Sequence, residues 1–335
     1  FTKTNGTTRL HHEIEHWDAG TQTASIWVLA DTIFGNDSLA ALRMYWGKAG
    51  AADSSRGTAV FDTANHFRAV WHLNETASPS LDATVLGSPA NWKNDPTSVS
   101  GVAGRAVNFA NFNPTVATPP PGQFLTSPYN ATTQNFRVTA ATGLTLSAWV
   151  WRAGPSVTAA NNVEGIAGRY QYTGGNWRQY MLTVGADNQP RAYRGFTSTN
   201  GSNTTTSLNS SVTPVDSSWQ HVVMKATGTN QEIYVDGILR FSTTTNITTS
   251  LDSEYPSAAF TIGRMDSAAQ WSQYFNGSVD EVRLSRGMRS AGWTKLDFET
   301  QKPGASAVAL GATVNLSVPA PPSNLRYVAT PTGDA

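Results

Sequence analysis

Apolar and polar residues alternate along most of this chain with the two-residue period of strands rather than the longer repeat of helices. RLHHEIEHWD (9–18) alternates, TASIWVLADTI (23–33) is a β-branched and aromatic run, and LRMYWGK (42–48) reads as a third strand. Turn-rich pieces, DAGTQ and GNDS, separate them, so residues 1–66 predict a small sheet that needs a neighbour to cover one face. From 67 to 300 the pattern recurs in FRAVWHL (67–73), RAVNF (105–109), LTLSAWVWRA (144–153), QYMLTVG (179–185), PRAYRGF (190–196), WQHVVMKAT (219–227), QEIYVDGIL (231–239), AFTIGRM (259–265) and GSVDEVRLS (277–285). The Asp-Gly inside EIYVDGIL predicts a tight hairpin. One short helix is expected over RSAGWTKLDFET (289–300), with Trp293, Leu296 and Phe298 covering a sheet edge. Many strands and long polar loops predict an all-β sandwich. AVFDTANHFRAVWHLNE joins the two units without a Gly/Pro/Ser linker, so the small unit is expected to pack against the large one.

Composition narrows the function classes. Charged residues are only 14% of the 335, against about 25% in ordinary domains, and Ser, Thr, Asn and Gly fill the gap. Basic and acidic residues balance at 23 each, which gives no general attraction to nucleic acid. No apolar stretch of about 20 residues exists, so no membrane-spanning helix is expected. The absence of cysteine excludes disulfides, thiolate metal sites and thiol catalysis, and fits a secreted or cell-surface bacterial protein, although a cytosolic one can lack cysteine too. The sequence opens on Phe1, as a processed or trimmed product would.

Two constellations carry chemistry of their own. The chain holds 11 Trp and 10 Tyr, and sugar rings stack their C–H faces on such side chains while polar neighbours satisfy the hydroxyls. The candidates for a glycan platform are Tyr172, Trp177 and Arg178 in RYQYTGGNWRQY, Tyr193 in PRAYRGF, and Trp271 and Tyr274 in WSQYFNG. Core packing is the competing account, and it claims Trp149, Trp151 and Trp219 in the most regular strands. In EIEHWD, Glu13 and Glu15 are two apart and share a strand face, with His11, His12, His16 and Asp18 nearby. Such a set suits acid/base chemistry or a transition metal, although a solvated strand face explains it as well. No serine-nucleophile elbow, phosphate loop, dinucleotide fingerprint or H-E-x-x-H occurs.

The phrases VWHLNE (70–75), GVAGRAVNFAN (101–111), LTLSAWVWRA (144–153), WQHVVMKATGTNQEIYVDGILR (219–240), FTIGR (260–264) and FNGSVDEVRLSRGMRSAGW (275–293) resemble, in order, those of the LamG family of the concanavalin-A-like lectin and glucanase superfamily. EIEHWDAGTQTASIWV (13–28), LRMYWGKAGAADSS (42–55) and AVFD (59–62) resemble an uncharacterised bacterial domain found directly before such units. PAPPSNLR, near the end of the linker-like residues 301–335, resembles the opening of a fibronectin type III repeat, so further domains are expected. The resemblance implies a jelly roll over 67–300 with the small β unit, 1–66, packed against it. It also implies a structural Ca²⁺ held near the rim by Asp82, Asp280, Glu281 and Glu75, hard oxygen donors from separate loops. Against this, Asp280 could cap a turn while Glu281 pairs with Arg283 or Arg264. The hydrolytic branches keep Glu-x-Asp-x-x-Glu acids on one strand, and no such cluster stands in these central strands. The function expected is therefore a non-catalytic carbohydrate-binding module of a larger secreted or surface protein. A structural or adhesive brick, and a glycoside hydrolase or lyase, are the alternatives.

Overall fold

The alternating segments become strands where their apolar face finds a partner sheet. A computed structural model describes residues 1–33, 40–111, 122–139, 141–154, 163–171, 177–185, 187–197, 203–212, 216–244, 258–265 and 274–314. In chain order the first unit gives β1 (Thr2–Lys3), β2 (His12–Asp18), β3 (Thr23–Val28), β4 (Leu42–Arg43) and a single helical turn, α1 (Gly57–Val60). There follow β5 (Phe67–Trp71), β6 (Asn91–Lys93), β7 (Thr97–Ser100), β8 (Arg105–Phe109), β9 (Phe124–Ser127) and β10 (Leu144–Arg152). Next come β11 (Glu164–Gln171), β12 (Trp177–Val184), β13 (Pro190–Thr197) and β14 (Asn203–Asn209). The last are β15 (Trp219–Ala226), β16 (Gln231–Val235), β17 (Ile238–Thr243), β18 (Phe260–Ile262), β19 (Gly277–Arg286) and the helix α2 (Ala291–Gln301).

Two large antiparallel sheets form the sandwich. The first runs β17-β16-β15-β10-β19-β8-β7, with β5 also paired to β19; the second runs β14-β13-β12-β11-β18-β9-β6. Leu144, Leu146, Ala148 and Val150 point from β10 into the space between them, meeting Leu182, Ala192 and Phe260 of the other sheet. This is the alternation of the sequence turned into a two-layer core. Trp71, Phe136 and Phe260 form its aromatic centre, with ring centroids 4.9 Å (Trp71–Phe260) and 5.4 Å (Phe136–Phe260) apart. The Asp-Gly hairpin forms as read: Val235 pairs with Ile238, and Asp236 and Gly237 both take positive φ, 54° and 71°, as a tight primed turn requires.

The small unit departs from the expected single sheet. Its strands make two separate pairs, β2 with β3 and β1 with β4. β4 extends over only two residues of the apolar run LRMYWGK, and both are exposed, so it has no face to build a third rung on. The unit packs against the outer face of the first sheet instead: Trp27 and Leu29 join Val60, Phe61, Phe67 and Val70 in a second apolar cluster that also includes Trp293.

The predicted helix forms but lies on the face of the sheet, not its edge. Ser290 caps it, accepting a hydrogen bond from Trp293 N at 3.0 Å. Its buried residues are Thr294 and Asp297, and Phe298 stacks on Trp149 at 5.6 Å. His221 on β15 is wholly buried in this layer, 5.1 Å from the Trp149 ring. Burial drives its pKa down to about 4, against the pull of Asp297. It is therefore neutral in the fold, while the unfolded chain takes up the proton below its ordinary 6.5. The stability it contributes is present above pH 6.5 and lost as pH falls toward 4, by about 3 kcal/mol in all. In denaturant melts the stability of wild type relative to His221→Leu should therefore fall by that amount between pH 7 and 4; a pH-independent difference between them contradicts the assignment.

Candidate functional site

Polar side chains gather where the small unit meets the sandwich, and two strand irregularities put them there. Register slips between Ile14 and His16 in the β2–β3 pair, leaving Glu15 on a bulge. It slips again in β19 opposite Ala148, between the Ser147–Arg283 and Trp149–Asp280 pairs, where Glu281 adopts φ 51°. Positive φ costs a residue with a side chain, and a bulge re-aims that side chain. Here it turns Glu281 to the outer face, toward β2. His72, just past β5, stands between the two acids.

The geometry is close. His72 Nδ1 lies 2.7 Å from Glu281 Oε1 and 3.6 Å from Glu15 Oε2, while its Nε2 lies 3.3 Å from Glu13 Oε2. Trp27 Nε1 donates to Glu15 Oε2 at 2.7 Å, and the rings of Trp27 and Phe61 stand 5.6 and 5.3 Å from the imidazole. Asn74 Nδ2 donates to the Glu15 carbonyl at 2.7 Å and ties β2 to the segment after β5. Two carboxylate oxygens, Glu15 Oε1 and Glu281 Oε2, are buried without a hydrogen bond. Burial, reinforced by the Glu281 charge, holds the Glu15 carboxyl far above its usual range. Burial opposes charge on His72 as well, but Glu281, Glu13 and Glu15 outweigh it and raise its pKa well above 6.5. Glu15, His72 and Glu281 form a buried cluster able to hold a divalent ion, all three ligand atoms lying within 4.8 Å of one another.

The four acids expected to hold calcium are dispersed in role. Asp82 spends both oxygens locally, accepting from the amides of Val70, Thr84 and Ser88 and from the Thr84 hydroxyl. Asp280 caps the turn at 101–104 through Val102 N (2.7 Å) and Ala103 N (3.2 Å); burial, then the neighbouring Glu281 charge, pushes its pKa well up. Glu75 accepts from Leu81 N at 2.7 Å and keeps its other oxygen unbonded. Glu281 is the one of the four in the metal-competent cluster, and its Oε2 lies 3.8 Å from Arg283 Nε. Their spacing brings Glu13 and Glu15 together in the sequence; His72 carries no such signal, because its partners are remote in sequence and nothing local in VWHLNE marks it.

A second polar and aromatic site lies on the outer face of the second sheet. Because Leu182 and Ala192 face the core, Gln179, Met181 and Thr183 of β12 and Arg191 and Tyr193 of β13 occupy the opposite side. Tyr193, half-buried, packs on a small cluster of Tyr170, Met181 and Met265. Arg191 Nη2 meets Asp187 Oδ2 at 2.8 Å, an oxygen that also accepts from Asn209. Gln179 Oε1, Thr183 Oγ1 and Arg191 Nε are buried without a hydrogen bond. Of the other expected platform residues, Trp177 and Arg178 start β12 with side chains outside the described set, and Tyr172 and Trp271 lie outside the described residues. Tyr274 lies elsewhere on the same sheet's margin, bridged to Gly165 and Arg264, with its ring 6.0 Å from Phe124 and the Arg264 guanidinium 5.5 Å away. Among the described residues no helix is long and apolar enough to cross a membrane.

Comparison with known proteins agrees with this architecture. No curated protein matches the chain. Among solved structures, the binding domain of Paraclostridial Mosquitocidal Protein 1 superposes with a TM-score of 0.51 at 9% identity, over 71% of this chain and 53% of that one. The botulinum neurotoxin serotype G binding domain gives 0.50 at 11%, over 70% and 51%. The chain thus spans about half the length of either, and at these identities the likeness is one of fold. Residues 1–81 match a family described as Domain of unknown function (DUF2341), and residues 126–293, half of the chain, match the model described as Concanavalin A-like lectin/glucanases superfamily. The chain belongs to the Concanavalin A-like lectin/glucanases superfamily.

Proposed function

We propose that this chain is a non-catalytic glycan-binding module of a larger secreted or cell-surface bacterial protein, with the sandwich, 67–300, as the binding unit and 1–66 as its accessory. The observation that carries this reading is the outer face of the second sheet. A half-buried tyrosine ring, Tyr193, stands there beside the partly exposed guanidinium of Arg191, with Gln179 and Thr183 on the neighbouring strand. A sugar offers C–H surface for the open part of the Tyr193 ring and hydroxyls for the Arg191 guanidinium, whose side chain is 24% exposed. Tyr172, Trp177, Arg178 and Trp271 are proposed to extend the platform. A fold shared with toxin binding domains supports recognition only in a general sense, since function resides in the site.

Hydrolysis is disfavoured on physical grounds. Glycosidic cleavage needs two carboxyl groups that reach the scissile bond. Glu15 and Glu281, the acids brought together here, have side chains 1% and 0% exposed, sealed between the two units. Calcium, the ion implied by the family resemblance, enters this reading as a structural support of the module. A glycan array run with and without EDTA tests both parts. Binding that falls with EDTA and returns with calcium supports calcium; binding indifferent to EDTA removes it. In the same assay Tyr193→Ala, with its melting temperature checked, should weaken binding roughly 10-fold. Unchanged affinity takes this face out of the platform, and silence across the array favours a structural brick.

A further inference from the structure

We propose that Glu15, His72 and Glu281 form a site for one divalent ion of the zinc class, and that this ion fastens the N-terminal unit to the sandwich. This inference does not depend on glycan binding. Three observations carry it. First, the donors come from three separate places, β2, the residue after β5, and β19, yet their ligand atoms lie within 4.8 Å of one another. Second, both acids sit on bulges, Glu281 with φ 51°, so the backbone in each strand breaks its register at the residue that supplies a ligand. Strain of this kind persists where the surroundings fix it, and it concentrates at functional positions.

Third, the cluster is left incomplete by the protein itself. A protonated His72 bridging Glu281 and Glu13 accounts for one oxygen of each. It leaves Glu15 Oε1 and Glu281 Oε2 unbonded, although the side chains are 1% and 0% exposed. A buried acceptor without a partner is costly, and a cation between the two carboxylates satisfies both. The surroundings also match what metal ligands need. Glu13 Oε2 lies 3.3 Å from His72 Nε2, the carboxylate-to-imidazole contact that orients a ligating ring, and Trp27 Nε1 fixes Glu15 Oε2 at 2.7 Å. An imidazole nitrogen with two carboxylates suits zinc and its transition-metal neighbours, whereas calcium prefers an all-oxygen shell of six to eight ligands. The donor set thus moves the expected ion at this site away from calcium.

The full chain, stripped with a chelator and dialysed, should bind one Zn²⁺ per chain in titration calorimetry, and Co²⁺ should give the visible d–d bands of a nitrogen–oxygen site. Glu15→Gln keeps the shape and the Trp27 bond but removes a charged ligand, and should weaken binding by roughly 10- to 100-fold; Glu13→Gln, one layer out, should cost about 10-fold. Hydrogen exchange in residues 12–28 should slow on adding zinc to wild type and not to Glu15→Gln. Failure to bind zinc, calcium binding in its place, or zinc binding unaffected by Glu15→Gln overturns the site. Exchange that zinc leaves unchanged overturns the fastening role. Because Glu15→Gln is nearly isosteric, His72→Gln is needed only as confirmation, and its failure to fold would not affect these outcomes.

Discussion

Replacing Arg283 with alanine is expected to destabilise the chain by about 3–5 kcal/mol, the cost of breaking a buried ion pair from one side. Arg283 leaves β19 on the outer face of the first sheet, 3% exposed. It meets both oxygens of Asp297 on α2, at 2.8 and 2.9 Å, and lies 5.0 Å above the Trp27 ring of the small unit. One side chain therefore joins sheet, helix and N-terminal unit. Alanine leaves Asp297, itself 8% exposed, with the Gln301 amide and the His221 ring 3.4 Å away, and removes from Glu281 a guanidinium nitrogen 3.8 Å away. Burying two charges is expensive even when they pair, so the double variant Arg283→Met with Asp297→Leu should recover much of the loss. Urea melts of the wild type and the two variants check this. A single variant that loses less than about 1 kcal/mol, the scale of an exposed pair, contradicts the buried geometry.

Trp71→Ala is expected to cost a similar amount, about 3–5 kcal/mol, for a different reason. Trp71 is fully buried and packs on Phe260 at 4.9 Å and Phe136 at 5.8 Å. Its Nε1 donates to the Ser88 carbonyl at 2.9 Å, which ties the loop after β5 to the core. Truncation opens a cavity between two sheets that cannot close on it and leaves Ser88 O with the weaker Ser127 hydroxyl, 3.2 Å away. Trp71→Phe should recover most of the packing but not the hydrogen bond, and so fall between the two. Equal stabilities for the alanine and phenylalanine variants, measured by denaturant unfolding, would argue against this account of the core.

The sandwich was legible because its strands are regular. LTLSAWVWRA and WQHVVMKAT alternate, and GSVDEVRLS does so on either side of its bulge at Glu281, as a strand between a core and a covering layer must. β14, NTTTSLN, was not read as a strand, since polar threonines carry a weak signal and its pairing with β13 supplies the order. The helix was found, but its place was not. Periodicity pointed to Trp293, Leu296 and Phe298, whereas Thr294 and Asp297 are the residues it buries, drawn inward by a partner on another strand. The metal-competent cluster was half visible. Glu15 and Glu281 each stand out in the sequence, but in different patterns, and they meet through His72, itself 209 residues from Glu281. Bulges are the physical reason: they break the alternation from which facing is inferred, so a residue read as one face of a strand supplies its ligand from another position. The outer platform was partly readable, with Tyr193 placed by alternation, but its unpartnered polar neighbours on β12 depend on which strand β13 joins.

Binding without turnover is the property expected of this chain. The intact chain should be passed over immobilised polysaccharides chosen from the array, with the eluate assayed for new reducing ends after long incubation. Retardation on at least one polymer, reduced by Tyr193→Ala and accompanied by no new reducing ends, is the predicted result. Release of reducing ends, or passage through every polymer without retardation, would contradict it.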